Sequence, residues 1–270
     1  MQLAQLKITK LLSPDFNLGK LLVGVKGMLD LAWLLAHQPS RQNLGFARLV
    51  VTVKPKFTMV KNHNLKLLYN LVEQANRSQM SGDIVECGVW NGGSAAVMGA
   101  ANMDTALEKE PRTIWLFDSF QGLPPPGEKD GDREKENYFN GWNVGDVRLV
   151  NEVFQKIGYP LERLKIVSGW FNETIACQPI KDITILHIDA DWYESVKTVL
   201  DNLYDRVIPG GFIVLDDYGL WPGCKSAVLD FFSEHNLPET LIRVIGKQGA
   251  YFQKPFQRTS ESALQPLSVA

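Results

Sequence analysis

From Gly82 onward the chain alternates short apolar runs with helical patterns, and that alternation limits it to a small set of folds. The apolar runs fall at residues 83–87, 113–117, 164–167, 184–188, 212–215, 241–245 and 250–253. Helical patterns lie between most of them, at 93–109, 147–157, 193–207 and 224–235. Strands alternating with helices imply an α/β fold, a parallel sheet with helices on both faces. Only residues 246–249 separate the last two runs, too few for a crossover helix, so that pair is expected to be antiparallel.

Residues 1–80 read as a helical cap, 81–255 as the α/β domain and 256–270 as a tail. Within the cap, Leu65, Leu68, Tyr69 and Val72 share one face of a helix beginning near Asn62, and Pro55 breaks whatever precedes it. The largely apolar run 20–37 is interrupted by Lys26 and Asp30 one turn apart. It is expected to form an amphipathic helix packed on the domain or on a partner subunit, with peripheral membrane contact as the alternative. The chain is 45% apolar and 21% charged, ordinary for a soluble domain, and its net charge of -2 shows no basic stripe that would seek nucleic acid. Cys87, Cys177 and Cys224 are far apart and odd in number, which fits neither a disulfide framework nor a zinc site. No secretory leader pattern is read, and the expected compartment is the cytoplasm.

The first strand runs into Glu86-Cys-Gly88-Val-Trp-Asn-Gly92-Gly93-Ser94, followed directly by a helix. The glycines allow a tight turn and close approach of a ligand to the backbone. This is not the GxGxxG dinucleotide fingerprint, because Trp90 stands where a second glycine is expected, which speaks against a nicotinamide-dependent oxidoreductase. Glu86 suits an ammonium group such as that of a methionine moiety. Asp118, ending the second strand, suits two ribose hydroxyls or, more simply, caps a loop. After the third strand comes Ser168-Gly169-Trp170-Phe171, whose aromatic pair either walls an adenine ring or packs in the core.

The fourth strand ends in His187-Ile-Asp189-Ala-Asp191-Trp-Tyr193 and the fifth in Leu215-Asp216-Asp217-Tyr218. Four carboxylates thus meet at the ends of two strands expected to be neighbours, with no Lys or Arg in either motif. Crowded carboxylates repel, and a hard divalent cation such as Mg2+, with Mn2+ as a substitute, is the natural counter-charge. The plainer alternative is a set of caps and turn residues. The polar, Gly- and Pro-rich stretch 124–143 is either a solvated loop or a mobile closing segment at a strand end where ligands bind, with Tyr138 and Trp142 as stacking faces.

The runs VECGVWNGGSA, LFDSFQGLP, VSGWFNET, HIDADWYES and GGFIVLDDYG, in this order and spacing, resemble the macrocin O-methyltransferase family over roughly residues 57–252. The resemblance implies a seven-stranded, Rossmann-like class I methyltransferase sheet with an antiparallel last strand. It implies S-adenosylmethionine as methyl donor and transfer to a hydroxyl of a vicinal diol, on a sugar of a glycosylated natural product. Asp189, Asp216 and Asp217 match the magnesium ligands and Asp191 the general base. Thr58, Met59, Glu86, Gly88 and Asp118 match donor contacts, with Ser168, Trp170 and Asp189 at the same site. Ala190 replaces a frequent glycine and leaves both carboxylates of the motif in place. A small-molecule acceptor and a homo-oligomer are the expected partners. Two other readings stand beside this one: a catechol-type O-methyltransferase with a flat aromatic acceptor, and a non-catalytic nucleotide-binding or scaffold protein.

Overall fold

Each of the seven apolar runs forms a strand, and the seven make one sheet. In the computed structural model they are Asp83–Cys87 (β1), Ile114–Asp118 (β2), Leu164–Ser168 (β3), Ile183–Ile188 (β4), Val207–Leu215 (β5), Arg243–Ile245 (β6) and Gly249–Gln253 (β7). The order across the sheet is β3-β2-β1-β4-β5-β7-β6. Strands β1 to β5 pair in parallel, and β7 runs antiparallel to both β5 and β6. The short 246–249 connection therefore does make an antiparallel pair, and it lays β7 between β5 and β6.

The structure describes residues 41–105 and 111–256, with Leu29, Ala32 and Ala36 also helical. The rest of the apolar run 20–37, the end of the helix expected over 93–109 and the tail beyond Phe256 lie outside the described residues. Eight α-helices are described: Arg41–Val53 (α1), Asn62–Arg77 (α2), Gly93–Asp104 (α3), Asp132–Asn137 (α4), Val147–Ile157 (α5), Phe171–Thr174 (α6), Tyr193–Leu203 (α7) and Pro222–Glu234 (α8). No helix among the described residues is long and apolar enough to cross a membrane.

Strand alternation sorts the core into two layers. Ile84, Ile185, Phe212 and Val214 face one side and pack with Phe46 and Val50 of α1, Leu65 and Leu68 of α2, Ala96 of α3 and Val150 of α5. Val85, Leu186, Ile213 and Leu215 face the other and pack with Val196 and Leu200 of α7 and Val228 and Phe231 of α8. Strands buried on both faces must be apolar at nearly every position, which is why they read as runs rather than as alternating patterns. Helices α1 and α2 share the core of the sheet, and the face formed by Leu65, Leu68, Tyr69 and Val72 is buried.

One boundary departs from the sequence reading. The helix expected to reach residue 207 ends at Leu203, and β5 begins at Val207, five residues early. Pro209-Gly210-Gly211 looks like a turn in isolation. Here Gly210 takes φ +80° and the strand continues through a local irregularity beside the end of β7, with Gly210 donating to the Lys254 carbonyl and Lys254 to that of Gly211, each at 2.8 Å. Tertiary pairing overrides a local breaker signal.

Candidate active site

A cleft of about 940 Å³ opens at the carboxyl ends of the parallel strands, where open α/β sheets place their ligands. Its floor is the glycine loop after β1. At Gly88, with φ +88°, an added Cβ would lie 1.7 Å from the carbonyl oxygen of Asp189. The loop after β1 and the end of β4 are therefore in contact only because residue 88 has no side chain. Gly93 plays a second role: its N–H donates to the Phe57 carbonyl at 2.8 Å, which lays Thr58 and Met59 along the start of α3 and into the cleft wall.

Trp90 takes φ +49°, an unusual conformation for a bulky residue. Asp118 accounts for it. Its carboxylate accepts the N–H groups of Val89 and Trp90, both at 2.8 Å, and of Phe120 at 2.7 Å. The side chain lines the cleft and at the same time ties the end of β2 to the glycine loop. Burial pushes its carboxyl up, and the three backbone N–H groups oppose that rise.

The acidic motifs meet as the strand order requires. Ile188 and Leu215 are in register, and the Asp216 N–H donates to the Ile188 carbonyl, so Asp189 and Asp216 stand side by side. Asp189, Asp216 and Asp217 each offer an oxygen within 4.8 Å of the others. Burial and then the neighbouring carboxylates push the carboxyls of Asp189 and Asp217 well above the usual range. Asp191, at φ +56°, is pushed to about 7 by burial, with Asp216 and Asp130 adding to the rise. Oδ2 of Asp217 is buried without a hydrogen-bond partner. No Lys or Arg forms an ion pair with these three carboxylates among the described residues. An all-oxygen set of crowded carboxylates without an ion-pair partner fits a hard divalent cation.

Several expected site residues sit elsewhere. Glu86 does not line the cleft; it is completely buried, with Oε1 2.7 Å from Nδ1 of His187 on the neighbouring strand. Its place inside β1, facing the helical layer with Ile84, turns it away from the loop that follows. Ser168 is exposed at the end of β3 and outside the lining, whereas Trp170 and Phe171 form part of the wall. Trp142 lines the cleft, but Tyr138 turns away and donates to the Leu123 carbonyl at 3.2 Å.

Other residues came without a sequence signal. Asn64, which reads as a helix-start residue, donates from Nδ2 to Asp216 Oδ1 at 2.7 Å. Lys54 and Lys61 come from the segment before α2, outside both acidic motifs. Burial and Lys61 push the Lys54 ammonium down to about 8 against the pull of Asp216. Trp142, Trp192 and Trp221 form an edge-to-face cluster with centroids 5.3–6.3 Å apart. The insert holding Trp142 contains α4 and is fastened at its start: the Trp192 indole donates to the Pro124 carbonyl at 2.9 Å.

Comparison with known proteins agrees with this architecture. The family described as Macrocin-O-methyltransferase (TylF) matches residues 42–254. The demethyldecarbamoylnovobiocin O-methyltransferase of Streptomyces niveus is 34% identical over 200 residues, covering 73% of this chain and 75% of that protein. The 8-demethyl-8-(2,3-dimethoxy-alpha-L-rhamnosyl)-tetracenomycin-C 4'-O-methyltransferase of Streptomyces olivaceus is 33% identical over 218 residues, covering 78% and 80%. The structure of the O-methyltransferase NovP superposes with a TM-score of 0.67 at 30% identity, covering 74% of this chain and 83% of that one. With a family match spanning α1 to β7 and a shared fold, this chain belongs to the macrocin O-methyltransferase family and is an O-methyltransferase.

Proposed function

We propose that the protein methylates one hydroxyl of a vicinal diol on a sugar of a glycosylated natural product, with S-adenosylmethionine as donor and a divalent cation at Asp189, Asp216 and Asp217. The observation that carries this reading is the placement of Asp191 in the same cleft wall as that carboxylate cluster. A sugar hydroxyl is a weak acid, and its attack on a methyl group needs both activation and a proton acceptor. When bound, the cation lowers the pKa of the attacking hydroxyl and orients it. Asp191 takes the proton as the C–O bond forms and the C–S bond of the donor breaks, releasing S-adenosylhomocysteine. Burial raises its carboxyl to about 7, which suits a proton acceptor at neutral pH.

The remaining residues position the reactants. Trp170 and Phe171 offer a wall for the adenine, Asp118 faces the ribose, and Thr58 and Met59 close over the donor. Trp142 and Trp221 offer apolar faces to the C–H side of a sugar ring, as indoles do to apolar surfaces generally. The name of the Streptomyces olivaceus relative, which acts on a rhamnosyl-bearing tetracenomycin, supports a glycosylated acceptor.

The test is methyl transfer from labelled donor to a panel of glycosides and catechols, before and after EDTA and Mg2+ restoration. Glycoside turnover that is lost with EDTA and restored by Mg2+ is expected. Efficient catechol turnover with none on glycosides would assign the site to an aromatic diol instead. Full turnover by rigorously metal-free enzyme would remove the cation from the reaction.

A further inference from the structure

We infer that Asn64 is a positioning residue for the metal site, holding Asp216 in its ligating orientation from the N-terminal helical layer. The inference rests on the proposed cation site and adds a residue outside both acidic motifs, 152 positions from the carboxylate it contacts. Asn64 lies in the first turn of α2 and is 2% exposed. Its Nδ2 donates to Asp216 Oδ1 at 2.7 Å. A carboxylate offers about four acceptor positions on its two oxygens, so one donated hydrogen bond restrains its orientation and leaves the others for a cation.

The amide sits in a built slot. Gly249 at the start of β7 faces it, and an added Cβ there would lie 2.8 Å from Nδ2 and 2.9 Å from Oδ1. Next to Asn64, His63 rests against Gly246, where an added Cβ would lie 2.6 Å from Nε2. The first turn of α2 is thus wedged between the β6–β7 hairpin and the acidic cluster. Oδ1 of Asn64 has no hydrogen-bond partner although it is buried. A buried amide that leaves its acceptor unsatisfied is costly, and what the arrangement secures is a donor aimed at Asp216. Groups that orient metal-binding side chains commonly matter to affinity by about 10- to 100-fold when removed.

The experiment is Mn2+ binding to the full chain, without methyl donor, by calorimetry and by electron paramagnetic resonance. Asn64→Leu keeps the side-chain shape and removes the donor; it is expected to weaken Mn2+ binding by about tenfold or more and to alter the bound Mn2+ spectrum. Donor affinity is expected to stay within about twofold of wild type. Thermal unfolding in EDTA reports on the fold separately. Should that variant fail to fold, Gly249→Ala presses on the amide from outside while leaving Asn64 intact, and a weakened Mn2+ affinity is again expected. Wild-type binding of Mn2+ with unchanged affinity in the folded variants would overturn the role of Asn64 alone, as would a loss of stability without loss of affinity. Failure of the wild type to bind Mn2+ would overturn the metal site and this inference together.

Discussion

Asp130 Oδ1 accepts the backbone N–H of Tyr193 at 2.9 Å, so the polar insert supplies the cap for the helix that begins two residues after Asp191. The same carboxylate accepts the Gly127 N–H through Oδ2 at 2.7 Å. Asp130 is 4% exposed, and Gly223 of α8 approaches so closely that a Cβ there would overlap it. The start of the insert is therefore part of the scaffold that holds Asp191 and Trp192. Asp130→Ala should cost roughly 0.5–2 kcal/mol for the lost cap. It should also lower turnover without changing donor affinity, whereas Asp130→Asn, which keeps an acceptor, should recover most of the stability. Unfolding curves and calorimetric donor titration check both parts.

Asp191→Asn should retain cation and donor binding while turnover falls by ~100-fold or more, the usual contribution of a general base. Single-turnover kinetics at saturating substrates give the comparison. Normal turnover at neutral pH would mean that another group accepts the proton.

Stability should respond to pH and Mg2+ together. In the metal-free chain, the carboxyls of Asp189 and Asp217 lie well above the usual range and that of Asp191 lies at about 7, against an ordinary value of 3.8. Each binds its proton more tightly in the native state than in the unfolded chain. These groups therefore favour folding at low pH, and that contribution is lost as the pH rises from about 4 through the folded values. Saturating Mg2+ should raise the melting temperature more at pH 8 than at pH 5.5. An increment that is equal at both, or larger at pH 5.5, would contradict this account.

Trp142→Ala should raise the KM for a glycoside acceptor by roughly 2- to 10-fold, the range expected from ~0.5–1.5 kcal/mol of aromatic contact. Trp142 stacks on Phe139 at 5.7 Å and meets Trp221 edge-on, and the proposed donor contacts come from other segments of the cleft wall. Donor binding should therefore be unchanged. A rise in the donor KM of similar size would relocate the residue.

Much of this architecture is visible in local patterns. The bounds of β1 and α5 follow directly from the run 83–87 and the helical period 147–157, and the short 246–249 connection demands an antiparallel pair. The two acidic motifs are brought together because each ends a strand of a parallel sheet, and strand ends are set by the same apolar periodicity that makes the strands. The partners of individual side chains are a different matter. Nothing near Asn64 in the chain points to Asp216, and nothing in Asp118 foretells that it holds Trp90 in a left-handed conformation. Glu86 sits in a motif that suggests a ligand contact, yet the pleat of β1 turns it under the loop to His187. Periodicity governs which face a residue occupies, so it reaches only a few positions along the chain; which distant group that face meets is decided when the layers pack, because hydrogen bonds form between whatever polar atoms the packed core leaves within reach.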